Sequence, residues 1–312
     1  MKNRAMALLG VFALLGLSAA PAISEPRPQD AQPRRSDTGP LVVPAYVAPV
    51  PLHLQARTLR TWQAPEADQG VAVDETYFYA IDNTVIAKYA MESGTLIDRW
   101  VGPSGGPVRH INSCYARDAR LMCANSNYPE TPMGSSIEVF DSRTLTPIET
   151  HSLGVRDEGS LTWFDTFEGG WIAGFAHYDT SGGVPFKDSR FSSVVTFDSE
   201  WRRTGGWLLP RAVIARMAPH AASGGAPGPD GLLYVLGHDL PELYVLARPL
   251  MGPTLVHVAT IDIAAPGQAF SWSPDGSRTI FAIDGDRHLV LKIELPPVDL
   301  DPQIGRPLVS RP

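Results

Sequence analysis

Residues capable of acid–base chemistry recur beside short apolar segments of this chain. His110 precedes one such segment, His177 and Tyr178 follow a second, and His238 and Asp239 follow a third. Imidazole, phenol and carboxylate groups transfer protons, and imidazoles also bind divalent metals. If the fold brings the three histidines together, they form a site for proton transfer or metal ligation. The catalytic candidates are His110, His177, Tyr178 and His238.

Amide and acidic side chains border the same segments. The candidates for substrate binding are Gln69, Asn112, Asn125, Asn127, Asp179, Asp239, Glu242 and Gln268. Glu130 and Glu242 each follow a proline in equivalent loops, where they are either acids of the site or solvated loop charges. The alternative for the whole set is structural, because Asn, Asp and His also end strands by hydrogen-bonding the backbone.

The apolar segments belong to five similar repeats, which begin near Gly70, Ile111, Ser160, Ala226 and Ala269. Each repeat spans roughly 40–50 residues and contains three or four short strands separated by turn residues, a pattern typical of β-propeller blades. We therefore predict an all-β chain that forms a single five-bladed β-propeller. Six blades are the alternative, because residues 181–191 are irregular.

The last repeat has only three strands, so a closed ring needs a fourth strand from elsewhere. Residues 54–64 precede the first repeat and alternate between apolar and polar side chains. We predict that this N-terminal strand pairs with the strand around residues 288–295 and closes the last blade, leaving no bare edge in the ring.

The strand order also predicts where the candidate residues meet. The innermost strand of a blade comes first and runs antiparallel to the second strand, so the start of one and the end of the other share a face. The histidines and amides above occupy these positions and predict a polar mouth at one end of the channel. The opposite strand ends carry turn formers, such as residues 117–120, and predict a mouth without chemistry.

The two ends of the chain differ from the repeats in amino-acid composition. Residues 1–24 predict a signal peptide: Lys2 and Arg4 precede a short apolar run, which small residues follow. Residues 25–52 form a proline-rich linker, residues 53–297 the propeller domain and residues 298–312 a C-terminal tail. Linker and tail should lie outside with few buried contacts. We expect an exported monomer, periplasmic or secreted, without a membrane span after signal removal. An uncleaved N-terminal anchor is the alternative.

The chain has two cysteines, Cys114 and Cys123. A two-residue turn within residues 117–120 would place them directly opposite each other in a hairpin, close enough to bond. Export to an oxidising compartment favours the disulfide. Two buried free thiols are the alternative. Elsewhere, residues 210–218 begin with proline and have apolar residues at helical spacing, which predicts a short helix between the third and fourth blades.

Charge and motifs exclude several functions. The formal net charge is -7, and the predicted folded part has no Lys/Arg-rich run, so the sequence argues against a nucleic-acid partner. Nucleophile-elbow, HExxH, Walker and dinucleotide motifs are absent from the sequence.

The blade phrases at residues 70–82 and 136–145 resemble those of exported bacterial propellers with YVTN-type, NHL-type or quinoprotein-like repeats. This resemblance covers residues 54 to about 295 and concerns the fold. The phrase at residues 68–71 is also a partial match to the first blade of propeller-type glutaminyl cyclotransferases, but their acidic and aromatic centre is not evident here.

The set of His110, His177, His238 and Gln268 is similar in residue type to sites of propeller lyases and cycloisomerases. That similarity implies a divalent metal held by the three histidines and the glutamine. The metal would neutralise a substrate carboxylate and acidify the adjacent C–H bond, while a His or Tyr moves the proton.

Three functions therefore stay open. The first is an exported lyase, cycloisomerase or hydrolase that acts on a small polar or saccharide-derived acidic substrate. The second is a non-catalytic propeller that binds a protein or a glycan, and the third is a glutaminyl cyclotransferase. Desolvated, convergent histidines favour an enzyme, whereas a shallow mouth rimmed by Trp and Tyr favours binding alone.

Overall fold

The computed structural model describes residues 45–179 and 184–309. The predicted signal peptide and most of the predicted linker lie outside the described residues. Two strands precede the first repeat, β1 (Leu52–Gln55) and β2 (Arg57–Gln63). The repeats that follow form five sheets, which confirms the five-bladed propeller and excludes six blades.

Each blade is built around four antiparallel strands. Blade 1 contains β3 (Gly70–Val73), β4 (Tyr77–Asp82), β5 (Val85–Ala90) and β6 (Leu96–Val101). Blade 2 contains β7 (His110–Arg117), β8 (Arg120–Ser126), β9 (Gly134–Asp141) and β10 (Pro147–Val155). Blade 3 contains β11 (Ser160–Phe167), β12 (Gly170–Ala176), β13 (Ser193–Phe197) and β14 (Arg203–Leu208).

The remaining blades include strands from both ends of the domain. Blade 4 contains β15 (Gly224–Pro227), β16 (Leu233–Leu236), β17 (Glu242–Pro249) and β18 (Val256–Asp262). Blade 5 contains β19 (Gly267–Trp272), β20 (Thr279–Asp284), β21 (Leu289–Glu294) and the N-terminal β2. The last strand, β22 (Gly305–Arg306), pairs with β17 on blade 4.

Five apolar cores lie between neighbouring blades. Successive side chains of a strand point to opposite faces, so each central strand contributes to two cores. In β4, Phe78 and Ala80 pack towards blade 5, whereas Tyr79 and Ile81 pack towards blade 2. The inner strands are therefore apolar on both faces, while outer strands such as β6 are exposed.

The ring closes as the sequence predicts. β2 pairs antiparallel with β21, from Arg57 opposite Glu294 to Gln63 opposite Leu289. On the inner side, the Ala269 amide donates to the Gln69 carbonyl at 3.2 Å, which joins blade 5 to blade 1.

Two expectations about the chain ends are wrong. The predicted single N-terminal strand is two strands, and β1 runs parallel to β18 on blade 4 rather than joining blade 5. The tail has buried contacts: Val298 and Leu308 are 7% and 1% exposed and pack into the cores on either side of blade 4. The proline-rich composition of the tail argues against long strands. It does not prevent single apolar side chains of the tail from packing into the cores.

The predicted hairpin is confirmed residue by residue. Arg117 pairs with Arg120, Cys114 lies opposite Cys123, and the two cysteines form a disulfide. Both turn residues, Asp118 and Ala119, have positive φ, as a tight two-residue hairpin requires. The predicted helix is also present as α1 (Arg211–Met217), whose apolar face packs between blades 3 and 4.

We predict that Trp62→Ala lowers the free energy of unfolding by about 3–5 kcal/mol, the usual range for a buried tryptophan. Trp62 is 6% exposed, and its ring lies 5.3 Å from Phe78 of blade 1 and 5.8 Å from Phe281 of blade 5. It therefore fills the seam where the ring closes. Urea denaturation measures the effect. Leu59→Ala on the same strand is the control, because Leu59 is 42% exposed; equal losses in the two variants would contradict the prediction.

Candidate functional site

A continuous row of aromatic rings crosses one end of the channel. Ring centroids lie 5.2 Å apart for His110 and Tyr128, 5.5 Å for Tyr128 and Tyr178, 4.8 Å for Tyr178 and His220, and 4.0 Å for His220 and His238. These residues come from blades 2, 3 and 4 and from the segment before β15. We call this end, with Gln268 from blade 5, the polar mouth.

His220, His238 and Asp239 form the tightest cluster of the polar mouth. Asp239 Oδ2 lies 2.7 Å from His220 Nδ1, and Asp239 Oδ1 lies 2.8 Å from His238 Nδ1. Burial alone would raise the pKa of Asp239, but hydrogen bonds from the two imidazoles outweigh it and hold that pKa below its usual value. The carboxylate is therefore ionised at neutral pH.

This cluster can hold a divalent cation. One ligand atom from each of its three residues lies within 4.8 Å of the other two. Two imidazoles and a carboxylate suit Zn²⁺ and other divalent transition metals. The side-chain amide of Gln268 lies beside them, with Nε2 at 3.3 Å from His238 Nε2. Of the metal ligands predicted from the sequence, His238 belongs to this group and Gln268 lies beside it, whereas His110 and His177 belong to no such three-residue group among the described residues.

The backbone around His238 and Gln268 is unusually constrained. Gln268 has a φ of 76°, a conformation that costs a non-glycine residue about 1–3 kcal/mol. The backbone amide of Gln268 donates to the Gly237 carbonyl at 2.9 Å. A Cβ at Gly267 would lie 2.3 Å from the His238 carbonyl oxygen, so only glycine allows the two segments to approach this closely.

His220 was missed in the sequence because strand ends were the guide to the mouth. It lies in the connection between α1 and β15, and its amide donates to the Met217 carbonyl at 3.1 Å. The helix therefore positions this imidazole. The sequence signal available was the predicted helix, which in the structure ends at Met217, three residues before His220.

His177 is the most buried imidazole of the predicted site. It is 3% exposed, and neither ring nitrogen has a hydrogen-bond partner among the described residues. The backbone of Asp157 and Glu158 approaches the ring without reaching hydrogen-bonding geometry. Burial lowers the pKa of His177, so its ring is neutral at neutral pH. A Cβ at Gly159 would lie 2.8 Å from His177 Nε2, so glycine makes room for the ring.

His110 and Tyr178 have complementary protonation states. Burial lowers the pKa of His110 and raises the pKa of Tyr178 to about 12. His110 Nδ1 forms a short contact with the side-chain oxygen of Asn83, which favours the tautomer with the proton on Nδ1 and a basic Nε2. At neutral pH the imidazole can accept a proton and the phenol can donate one.

The space beneath these rings is small. A cavity of about 10 Å³, lined by His110, Asn112, Tyr128, His177 and Tyr178 among others, has room for roughly one water molecule. The rings therefore fill most of the space at this end of the channel.

Three of the predicted amides are used within the fold. The Asn125 side-chain oxygen accepts from the amides of Arg109 and His110 at 3.0 and 3.2 Å, so it positions the start of β7. Asn127 donates to the Pro132 carbonyl at 2.9 Å and thereby shapes a loop. Asn112 donates to the Leu161 carbonyl at 2.8 Å and ties blade 2 to blade 3.

Gln69 and Asp179 also have hydrogen-bond partners within the fold. Gln69 donates to the adjacent Asp68 at 2.9 Å, and Asp179 accepts from the Ser189 amide at 2.9 Å.

Glu130 pairs with Arg109 at 2.8 Å, and both side chains are about half exposed. Glu242 pairs with Arg216 of α1 and accepts from the Tyr244 hydroxyl at 2.7 Å. Glu130 fits the alternative of a solvated loop charge, whereas Glu242 begins β17 and its side chain is only 16% exposed.

The opposite mouth differs from the expectation. A cavity of about 390 Å³ opens there, between the inner strands and turns of all five blades. The sequence identified turn formers at this end but gave no indication of the space that their small side chains leave.

No protein-family model and no curated protein matches the chain. Among solved structures, it is similar to a chain of the mitotic checkpoint complex, with 12% identity, a TM-score of 0.39 and coverage of 85% of this chain and 99% of that one. It is also similar to the WD40 β-propeller domain of Doa1, with 10% identity, a TM-score of 0.41 and coverage of 78% and 98%.

A third similar structure is a protein of unknown function from Bacteroides caccae, with 9% identity, a TM-score of 0.39 and coverage of 72% and 68%. Because all three TM-scores are below 0.5, the propeller assignment rests on the strand order. Within residues 45–179 and 184–309, no helix is long and apolar enough to cross a membrane.

We predict that His177 makes the fold less stable in mild acid. Its pKa is lowered in the folded state from 6.5, so the unfolded chain binds a proton that the folded chain does not as pH falls below about 6.5. Urea denaturation should show that His177→Gln loses less stability than the wild type between pH 7.5 and pH 5.5. His151→Gln, on the outer strand of blade 2, is the control and should behave as the wild type. An unchanged pH dependence in His177→Gln would contradict a neutral buried imidazole.

Proposed function

We propose that the protein is an exported enzyme of the lyase or isomerase type that acts at the polar mouth on a small polar, acidic substrate, such as a saccharide-derived carboxylate. The observation that carries this proposal is the cluster of His220, His238 and Asp239 beside a neutral imidazole and a protonated phenol. Perturbed pKa values of neighbouring titratable groups are typical of functional sites, which supports catalysis at the polar mouth.

The cluster would supply the electrostatic part of the reaction. His220, His238 and Asp239 would hold a divalent cation, whose charge neutralises a substrate carboxylate and favours ionisation of the adjacent C–H bond. Gln268 stands close enough to His238 to orient the substrate or to contribute a ligand oxygen. A cation at this place would also allow an acidic substrate to bind to a protein of net charge -7.

The proton transfers would fall to His110 and Tyr178. The basic Nε2 of His110 takes the proton from the carbon next to the carboxylate, and the released electron pair forms a C=C bond. In an elimination the departing oxygen takes a proton from Tyr178, so charge and atoms balance. In an isomerisation the same proton returns to a different carbon. His177 lies next to Tyr178 in sequence and lines the same small cavity. Its neutral ring would help to hold the row of aromatic rings in place.

Export as a monomer, to the periplasm or the medium, belongs to the same proposal. The N-terminal sequence supports it, and the Cys114–Cys123 disulfide is compatible with an oxidising compartment. Non-catalytic binding of a protein or glycan and glutaminyl cyclisation are the outcomes that the experiments below would favour if the proposal fails.

We predict that the purified protein binds a stoichiometric amount of Zn²⁺ or Mn²⁺ and that His220→Ala or His238→Ala removes most of it. Elemental analysis after dialysis and titration calorimetry measure the content and the affinity. His151→Ala is the control, because it removes a histidine far from the cluster. Full metal content in both cluster variants would overturn the ligand assignment.

We predict that Tyr178→Phe and His110→Ala lower kcat by about 10²–10⁴-fold, the usual contribution of a general acid or base. A screen of uronic-acid oligomers and carboxylated lactones, followed by ultraviolet absorbance of a new C=C bond, would find the substrate. Melting temperatures should stay close to the wild type in Tyr178→Phe, which removes only one oxygen. Turnover that survives in both variants would contradict the proposed roles, and cyclisation of N-terminal Gln peptides by the wild type would favour the alternative enzyme.

A further inference from the structure

The cavity of the opposite mouth, here called the turn-side cavity, has the size of a small-molecule site. Its volume is about 390 Å³, within the range of roughly 300–1,000 Å³ that such sites occupy. The cavity is open because one part of its wall, residues 225–229, consists largely of glycine and proline, which have small or compact side chains. Five aromatic residues line the cavity, and two of them, Tyr115 and Trp272, have partly exposed side chains that form its aromatic wall. The side chains of Trp163, Phe164 and Phe270 are buried in the cores between the blades.

A single acidic side chain, Asp165 of β11, lines the turn-side cavity. One of its oxygens accepts from the amide and hydroxyl of the following Thr166, at 2.6 and 3.3 Å. It makes no ion pair with any described residue. Asp165 is partly buried, so its negative charge is only partly stabilised by water and has no basic partner among the described residues.

Other titratable groups near Asp165 do not supply that partner. Tyr115 and Arg117, both on β7, are the only other titratable side chains of the cavity wall apart from the disulfide. The Arg117 guanidinium is largely exposed and lies 3.4 Å from Asp118 at the tip of the hairpin. Burial raises the pKa of Asp165 to about 7, with Thr166 and Arg117 opposing the rise only in part.

Two indole nitrogens of residues that line the cavity also lack partners. Trp163 Nε1 and Trp272 Nε1 are both buried, and neither has a hydrogen-bond partner among the described residues. A buried donor without an acceptor costs about 1–3 kcal/mol, and a ligand oxygen would relieve that cost.

We propose that the turn-side cavity binds a small organic cation that carries an oxygen, of the chemical class of choline and other amino alcohols. The ammonium group would lie against Asp165 and the aromatic wall, which attracts cations through the faces of its rings. The oxygen would accept from Trp272 Nε1. The site is at the other end of the channel from the polar mouth, so it stands or falls independently of the proposed enzyme.

The experiment compares choline with 3,3-dimethylbutan-1-ol, which has the same shape without the charge. Titration calorimetry and quenching of tryptophan fluorescence should show that choline binds at least about tenfold more tightly at pH 8. Choline affinity should fall about tenfold per pH unit below pH 6, because a protonated Asp165 must lose its proton before it can pair with the cation. Equal binding of the two probes, or binding of neither, would overturn the proposal.

Variants test the named residue. Asp165→Asn should weaken choline binding at least about tenfold, abolish its pH dependence and leave the weak binding of the alcohol unchanged. Asp98→Asn on the exposed strand β6 is the matched control and should bind as the wild type. Choline binding that is as tight in Asp165→Asn as in the wild type would overturn the proposal.

Stability gives a second readout that needs no ligand. The pKa of Asp165 is raised in the folded state, so the folded protein loses stability relative to the unfolded chain as pH rises from about 4 to about 7. Asp165→Asn should therefore melt at a higher temperature than the wild type at pH 8, and the difference should shrink towards pH 4. A variant that melts lower at pH 8 would mean that Asp165 is already compensated within the protein, which contradicts the premise of an unpaired carboxylate.

Discussion

Both ends of the channel depend on closure of the ring by the antiparallel pairing of β2 with β21. The five sheets pack face to face, and each apolar core is shared by two neighbouring blades, so no blade can bury its faces alone. Trp62 brings the N-terminal strand into the seam between the last and first blades. Once the seam is closed, the inner strands converge, and the loops at their ends have little freedom in where they place side chains. The polar mouth and the turn-side cavity are two consequences of this one constraint.

The polar mouth contains several features that destabilise the folded state, and packing elsewhere in the fold must compensate for them. His177 is buried without a hydrogen-bond partner in the described part of the chain, and Gln268 has a backbone conformation that few non-glycine residues adopt. Gly159 and Gly267 lack a Cβ where one would collide with a mouth histidine. Strain and unsatisfied polar groups are common at functional sites, because packing alone would remove them. Here they surround the same few histidines, which supports a function at this end of the channel.

The sequence was most informative where a local pattern determines the structure. The five repeats of short apolar segments and turns predicted the blades, the two-residue turn predicted the pairing of Cys114 with Cys123, and the missing fourth strand predicted the closure by β2. It was less informative where long-range packing decides. The parallel pairing of β1 with β18 has no local signal, and His220 reaches the mouth only because α1 packs between two blades. For the site residues, strand position predicted where His238 and Gln268 lie, but not that Asn125 and Glu242 are engaged by neighbours within the fold.

The two mouths differ because side-chain volume differs at the two ends of the same strands. At the polar mouth, imidazole and phenol rings fill the space between the blades and leave room for about one water molecule. At the other end, β15 and the turn after it contribute Gly225, Pro227 and Gly228, and the turn after β19 contributes Gly276, so the wall stays open and a larger cavity results. A filled mouth holds its titratable groups in fixed geometry, which suits proton transfer, whereas an open, aromatic cavity suits binding. One ring of five blades can therefore support two distinct sites, since the alternation of loops between its faces separates the residues that build them.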